Sequence, residues 1–367
     1  MKKLLITLLF AAGLLTACTT ATHTAKKREN TGKAILGISP GKKEITVQAV
    51  TADDSPVQVE GCTVTELPSD EETILTATGT KVVLKGNITE LDCSSNELTA
   101  LDVRGLTALQ TLYCDNNLLT SIDLHGLTAL QTLYCDNNRL SSLDVRQLTA
   151  LQWLKCYNNQ LSVLHVQDLT SLRLLYCNDN RLTSLNLHGL SGLWFLHCDN
   201  NQLTSLDLKG LTALRWLKCR DNQLTTLNVQ GLTSLQVLEC DSNRLTSLNL
   251  HGLSGLQVLN CDNNQLTSLD LKGVTALQTL DCYNNRLTVL DIHGLSRLAG
   301  LYCSRNRLKE HALIQIINSL PERRTDEETE AVFYTEEDNQ SEGNYTDWSS
   351  SAGLQAAIKT ARAKNWT

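Results

Sequence analysis

For a chain of 367 residues, long enough to bury a large core, this one has few prolines and few large rings: 4 Pro and 3 Phe. It also lacks an excess of positive charge. Its 32 Lys and Arg face 39 Asp and Glu, a net charge of −7, so the basic footprint that nucleic acid demands is missing and no nucleic-acid partner is expected. Beyond the first residues there is no apolar run long enough to cross a bilayer. No serine or histidine falls in a recognisable nucleophile motif, which argues against an enzyme and calls for no cofactor. Cysteine is the exception to this scarcity. There are 13, a number that ordinarily points to disulfides, a metal site or a reactive thiol.

The N-terminus speaks to the compartment. Lys2 and Lys3 precede an apolar run from Leu4 to Leu15, too short for a mature transmembrane helix. The run ends in Leu15-Thr16-Ala17-Cys18. This resembles a bacterial lipobox, which implies removal of residues 1–17 and a lipid on the Cys18 sulfur. An ordinary signal peptide that happens to end near a cysteine is the alternative. By the same resemblance Thr19 carries no acidic inner-membrane retention signal. Residues 18–32 then read as the lipidated cysteine and a polar, Lys-rich tether. The membrane is touched only through the anchor. The expected location is the cell envelope, at the outer membrane or cell surface where the organism has one.

The other cysteines are periodic. From Cys93 to Cys303, eleven fall at 21-residue steps, each followed three residues later by asparagine, from Asn96 to Asn306. The unit reads L-x-x-L-x-C-x-x-N-x-L-T-x-L-D-L-x-G. It resembles the leucine-rich repeat, with Cys in place of one strand leucine, and more narrowly the internalin J type of surface protein with a cysteine ladder and related lipoproteins. The resemblance spans residues 86–308. It implies a right-handed solenoid with a parallel sheet on its concave face.

Elementary geometry leads to the same place. Leu112 and Cys114 are two residues apart, so on a strand both face one side. A single repeat cannot bury that face, but stacked repeats bury a continuous core. Parallel strands ~4.8 Å apart make eleven repeats a solenoid on the order of 50 Å long. The asparagine leaves the strand into a turn, where its amide can bond backbone groups stranded by the bend. The short G-L-T-A-L return leaves no room for a long helix and predicts turns, extended chain or brief 3₁₀ segments on the convex side.

At an inward position free cysteine behaves as a small hydrophobe. Stacked parallel thiols point the same way, which fits the torsion of a disulfide poorly, and a straight row does not converge on zinc. Buried reduced thiols are the expectation, with some disulfides as the alternative. Cys62 is unpaired by pattern. Two metal readings fail. The stretch 338–349 grazes a calcium-loop pattern but has Gln340 and Ser349 where ligands are needed. His125, His188, His251 and His293 stand two or three repeats apart, roughly 10–15 Å, and read as solvated convex residues.

An open solenoid needs ends. Residues 33–85 alternate with period two and read as a β-rich N-terminal cap. Residues 309–367 read as an α/β C-terminal cap: a helix over "HALIQIINSL" stopped by Pro321, a strand at 331–334, an acidic loop, and a final helix with Trp366 closing the core. These 59 residues contain no cysteine, which weakens the idea of a repeat protein fused to a cysteine-dependent ligase.

If Leu and Cys point inward, their strand neighbours line the concave face. The first outward row includes Thr111, Thr132, Trp153, Leu174, Phe195, Trp216, Val237 and Val258, of which the six from Trp153 on are apolar and expected to face water. A second row carries Tyr113, Tyr134, Lys155, Tyr176, His197, Lys218 and Glu239. A third carries Tyr157, Arg220 and several aspartates. Nine of the chain's 16 aromatics occupy these rows, and an exposed apolar patch rich in Trp, Tyr and Arg usually marks an interaction site.

Residues 148–210 and 211–273 are two copies of a three-repeat block, identical at 48 of 63 positions. Six of the 15 differences fall among the nine concave positions. Diversification of a binding face explains this better than drift, because convex positions, also exposed, mostly stayed the same. The ligand-binding candidates are therefore Tyr113, Tyr134, Trp153, Lys155, Tyr157, Leu174, Tyr176, Phe195, His197, Trp216, Lys218, Arg220 and Glu239, with a protein or glycan as ligand and a monomeric chain. Family resemblance suggests an adhesin for a host glycoprotein such as mucin, or for another bacterium. An envelope scaffold facing the periplasm is the rival.

Overall fold

The computed structural model describes residues 32–333 and 343–367. Cys18, the stretch 1–31 and part of the acidic loop lie outside the described residues. No described helix is long and apolar enough to cross a membrane.

Six strands open the fold: β1 (Lys33–Gly37), β2 (Glu44–Thr51), β3 (Val57–Glu60), β4 (Glu66–Leu67), β5 (Thr73–Thr76) and β6 (Lys81–Lys85). Their alternation is the cause of their placement, as in β2, where every second side chain is buried. The repeats begin with β7 (Ile88–Asp92) and β8 (Ala100–Asp102). Then come three-residue strands at 21-residue steps: β9 (Thr111–Tyr113), β10 (Thr132–Tyr134), β11 (Trp153–Lys155), β12 (Leu174–Tyr176) and β13 (Phe195–His197). The series continues as β14 (Trp216–Lys218), β15 (Val237–Glu239), β16 (Val258–Asn260), β17 (Thr279–Asp281) and β18 (Gly300–Tyr302). β7 pairs in parallel with β9, and from β9 onward each pairs in parallel with the next at the same phase, as Leu196 with Leu217 in β13 and β14.

The sheet has fourteen strands, because both caps join it. At one end β2 pairs antiparallel with β7 and β5 lies outermost; at the other, β19 (Glu330–Val332) pairs in parallel with β18. A second sheet, in the order β4-β3-β6-β1-β8, takes in the return segment of the first repeat through β8. Elsewhere the returns are turns and extended chain, with no 3₁₀ segment among the described residues. Helix α1 (Glu310–Ser319) stops before Pro321, and α2 (Ala352–Ala363) starts at Ser351, whose hydroxyl accepts the Leu354 N–H at 3.1 Å. Trp366 is buried and donates its indole N–H to Pro321 O at 2.8 Å.

Every ladder cysteine from Cys93 to Cys303 is buried and none is in a disulfide. Burial pushes their thiols well above the usual range, as at Cys114 and Cys219. The row is packing, not thiol chemistry, since the thiolate is the reactive form.

The asparagines hold the stack. Asn222 Nδ2 donates to Cys198 O at 3.0 Å, Cys219 O at 3.3 Å and Arg220 O at 3.1 Å, while its Oδ1 accepts the Leu203 N–H at 3.0 Å. One side chain thus satisfies backbone groups in two successive repeats, groups that would otherwise be buried without partners. The ladder is closed at both ends. Asn96 exchanges hydrogen bonds with the backbone of Thr46 in the N-terminal cap. At the far end Asn344 supplies the next rung, accepting the Leu308 N–H at 2.9 Å and donating to Cys303 O and Phe333 O. The residue just before each ladder asparagine turns left-handed, with φ near 50° at Asn116, Asn200 and Asn284, a conformation that asparagine tolerates better than most.

Candidate ligand-binding face

Leu and Cys alternate inward along each strand, so the residues between them line the outer surface of the long sheet. Part of that lining is continuous. Tyr113 and Tyr134 have ring centroids 5.0 Å apart, and Lys155 Nζ sits 4.0 Å from the Tyr134 centroid. Tyr176 stacks on Phe195 at 4.7 Å and meets Tyr157 at 6.3 Å and His197 at 5.5 Å. Phe195 and Trp216 stand 6.4 Å apart. Burial and neighbouring carboxylates keep these phenols neutral: Tyr134 and Tyr157 are pushed up to about 12.

The first outward row is less wet than its composition suggests. Trp153 is 43% exposed, but Leu174 is only 7% exposed and Thr132 4%; Phe195, Trp216, Val237 and Val258 are half-buried. Leu174 sits one strand from Trp153 and one from Phe195, and two large rings shield the shorter side chain between them. Leu174 supports the face from beneath rather than lining it.

Four of the five Lys, Arg, His and Glu candidates are held in ion pairs along the face. Lys218 Nζ reaches Glu239 at 2.8 and 2.9 Å. Asp199, almost fully buried, takes His197 Nε2 at 2.8 Å and Arg220 Nε at 2.9 Å. These residues fix one another's positions, a geometry that sequence alone did not reveal. Sequence reading also passed over Trp194, whose ring meets Trp216 edge-on at 5.4 Å and Phe195 at 6.1 Å. The signal was present, because neighbouring repeats carry Gln or Arg at that position, as at Gln152, Arg173 and Arg215. The convex His188 is exposed beside Asp168 at 3.5 Å.

Models of tandem leucine-rich repeats match residues 86–125 and 107–148, and a single-repeat model matches 276–298. The chain is a leucine-rich-repeat solenoid. Among solved structures, this leucine-rich-repeat chain is similar to the functional domain of InlJ from Listeria monocytogenes, which includes a cysteine ladder. The two are 30% identical, with a TM-score of 0.59, over 75% of this chain and 62% of that one. The chain therefore spans less than two thirds of its Listeria counterpart. The leucine-rich effector protein YopM from Yersinia pestis is 25% identical, with a TM-score of 0.57, over 70% of this chain and 67% of that one. A Leptospira interrogans leucine-rich-repeat protein, 24% identical over 71% of this chain and 72% of its own with a TM-score of 0.55, shares the fold. Comparison with curated protein sequences gives no match.

Proposed function

We propose that this leucine-rich-repeat chain is a lipid-anchored bacterial surface protein that binds a macromolecular ligand, a host protein or glycoprotein or a neighbouring bacterium, through its concave face. The observation that carries the reading is the run of touching rings from Tyr157 through Tyr176 and Phe195 to Trp216, set on a scaffold whose inward positions are repeated almost unchanged. Large rings held in place lose little entropy on binding and dominate interface energetics. The ladder thiols are buried and serve the core in this reading.

The test uses the full chain carried in detergent. Cells or extracts that bind the wild type are challenged with Trp153→Ala combined with Trp216→Ala. The two rings are ~14 Å apart, three strand spacings, within reach of one ligand segment. Binding is expected to weaken at least tenfold, about 1.4 kcal/mol, with circular dichroism unchanged, while His188→Ala on the convex side has no effect. Normal binding by the double variant would remove the concave face from the proposal. Protease treatment of intact cells tests the location: a protected chain would favour a periplasm-facing scaffold. Loss of lipid labelling in Cys18→Ser tests the anchor.

A further inference from the structure

The two three-repeat copies differ in the charge balance of their third outward row. In the first, Asn178 and Asp199 are followed by Arg220; in the second, Asp241 and Asp262 are followed by Tyr283. Asp199 is held by His197 and by Arg220, whose backbone N–H also donates to it at 2.8 Å. Its counterpart Asp262 has Asn260 in place of that histidine and Tyr283 in place of that arginine. The equivalent of Asn178 is Asp241. Where the first copy has one carboxylate held by an imidazole and a guanidinium, the second has two carboxylates with neither partner of their own.

The geometry makes these two unusual. Asp241 is only 8% exposed, and its Oδ1 is buried without a hydrogen-bond partner. Asp262 Oδ1 is likewise buried and unpartnered, while its Oδ2 accepts Asn263 Nδ2 at 2.8 Å. The backbone keeps the pair side by side, with Cys240 N–H donating to Asn260 O at 2.8 Å and Ser242 N–H to Asp262 O at 3.1 Å, a spacing of ~4.8 Å between strands.

Charged neighbours on each side are already engaged. Toward the N-terminus Lys218 is held by Glu239, and Arg220 by Asp199, with Asp221 4.0 Å from the Arg220 Nε. Toward the C-terminus Asp281 adds a third carboxylate, its Oδ1 accepting the Tyr283 N–H at 3.1 Å, and Arg305 lies over the Tyr283 ring at 5.5 Å. Burial, with the Asp199 and Asp221 charges opposing Arg220, pushes Asp241 up to about 7. Burial and the Asp281 and Asp241 charges push Asp262 up to about 7, and burial raises Asp281 as well. Among the described residues no group of three or more His, Cys, Asp or Glu is arranged to hold a metal ion. An organic cation with several N–H donors suits two carboxylates on adjacent strands better than a point ion does.

We propose that Asp241 and Asp262, backed by Asp281, receive an arginine or lysine side chain of a protein ligand lying along the concave face. This rests on the reading of that face as a protein-binding surface and names what the ligand must carry. The ring tract that ends at Trp216 lies one strand before Asp241, so the fitting ligand places apolar or aromatic residues beside its basic one. Only ionised carboxylates attract the cation, so binding releases protons and strengthens as pH rises through 7.

The probe is N-acetyl-argininamide, titrated into the full chain in detergent and followed by NMR of the probe and of the aspartate side-chain carbons. Affinity is expected to be about tenfold higher at pH 8 than at pH 6, the ratio of ionised fractions for a carboxyl titrating near 7. The neutral isostere N-acetyl-citrullinamide is expected not to bind. Asp241→Asn with Asp262→Asn should weaken the probe at least tenfold and abolish its pH dependence. That variant should fold, since asparagine stands at Asn178, the equivalent of Asp241, and the same row carries the uncharged Tyr283 one repeat after Asp262. Equal binding of the citrulline compound, unchanged affinity in the double variant, or displacement of the probe by micromolar calcium would overturn the proposal. The probe needs no macromolecule, so its failure is distinguishable from failure of the Trp153 and Trp216 test of the surface itself.

Discussion

The blocks 148–210 and 211–273 share a backbone path and a core, yet present different chemistry to a ligand. Where the first has Tyr176, Phe195 and His197, the second has Glu239, Val258 and Asn260. Rings stacked at 4.7 Å in one give way to a carboxylate and a valine in the other. Because Leu, Cys and Asn carry the fold in both, the outward positions are free to change without disturbing it. Stability and recognition are carried by different atoms of the same strands.

The sharpest way to break this comparison is through the shared part. Asn159→Leu and Asn222→Leu each remove a side chain that bonds three carbonyls and one buried N–H. An unsatisfied buried donor alone costs ~1–3 kcal/mol. With the carbonyls included, each substitution is expected to lose on the order of 3 kcal/mol in urea unfolding, and the two losses should be alike. Clearly unequal losses would mean that the blocks are not energetic equivalents.

A smaller effect is expected at the thiols. Cys198→Leu adds volume to a buried stack and should cost about 1–3 kcal/mol. The wild-type ladder should resist alkylation until the chain unfolds and then react as a set. Intact-mass measurements that found most ladder thiols oxidised to disulfides would contradict the packing account.

The smallest effect sharpens the comparison at its one buried charge difference. Asp241 and Asp262 titrate near 7 in the fold against an ordinary 3.8. The folded chain therefore holds protons that the unfolded chain has released. The stability they contribute is fully present below about pH 4 and is lost as pH rises through 7. Asp241→Asn, which restores the residue of the first copy, should raise the melting temperature at pH 8 by about 2 °C and leave it nearly unchanged at pH 4. A variant that melted lower at pH 8 would show that the carboxylate is better stabilised than its surroundings imply.

The solenoid was legible because its pattern is translational. Cys114 two residues after Leu112, repeated at fixed intervals, specifies inward faces and parallel neighbours without any knowledge of distant contacts. The caps were legible in kind, from the alternation in β2 and the Pro321 stop after α1. The rung supplied by Asn344 was not, because it stands 38 residues after Asn306, outside the 21-residue phase. The candidate face was only half legible. Row membership follows from alternation, so Trp153 and Tyr176 can be placed. Burial depends on the size of neighbours one strand away, which hid Leu174. Pairing depends on rotamers across strands, which tied His197 and Arg220 to Asp199.

The asparagine that bonds both its own repeat and the one before gives the chain a further property. Each joint between repeats is made by the same few atoms, as Asn138 does with Cys114 O and Cys135 O, and Asn264 with Cys240 O and Cys261 O. A gene segment of 21 codons, or any multiple, can be inserted or deleted at any matching phase and every new joint is still correctly formed. The length of the recognition surface is thus adjustable by recombination alone, with no compensating change in the core. The near-identical blocks at 148–210 and 211–273 are the pattern such an event leaves, and Asp241, opposite Asn178, stands at one of the positions where they differ.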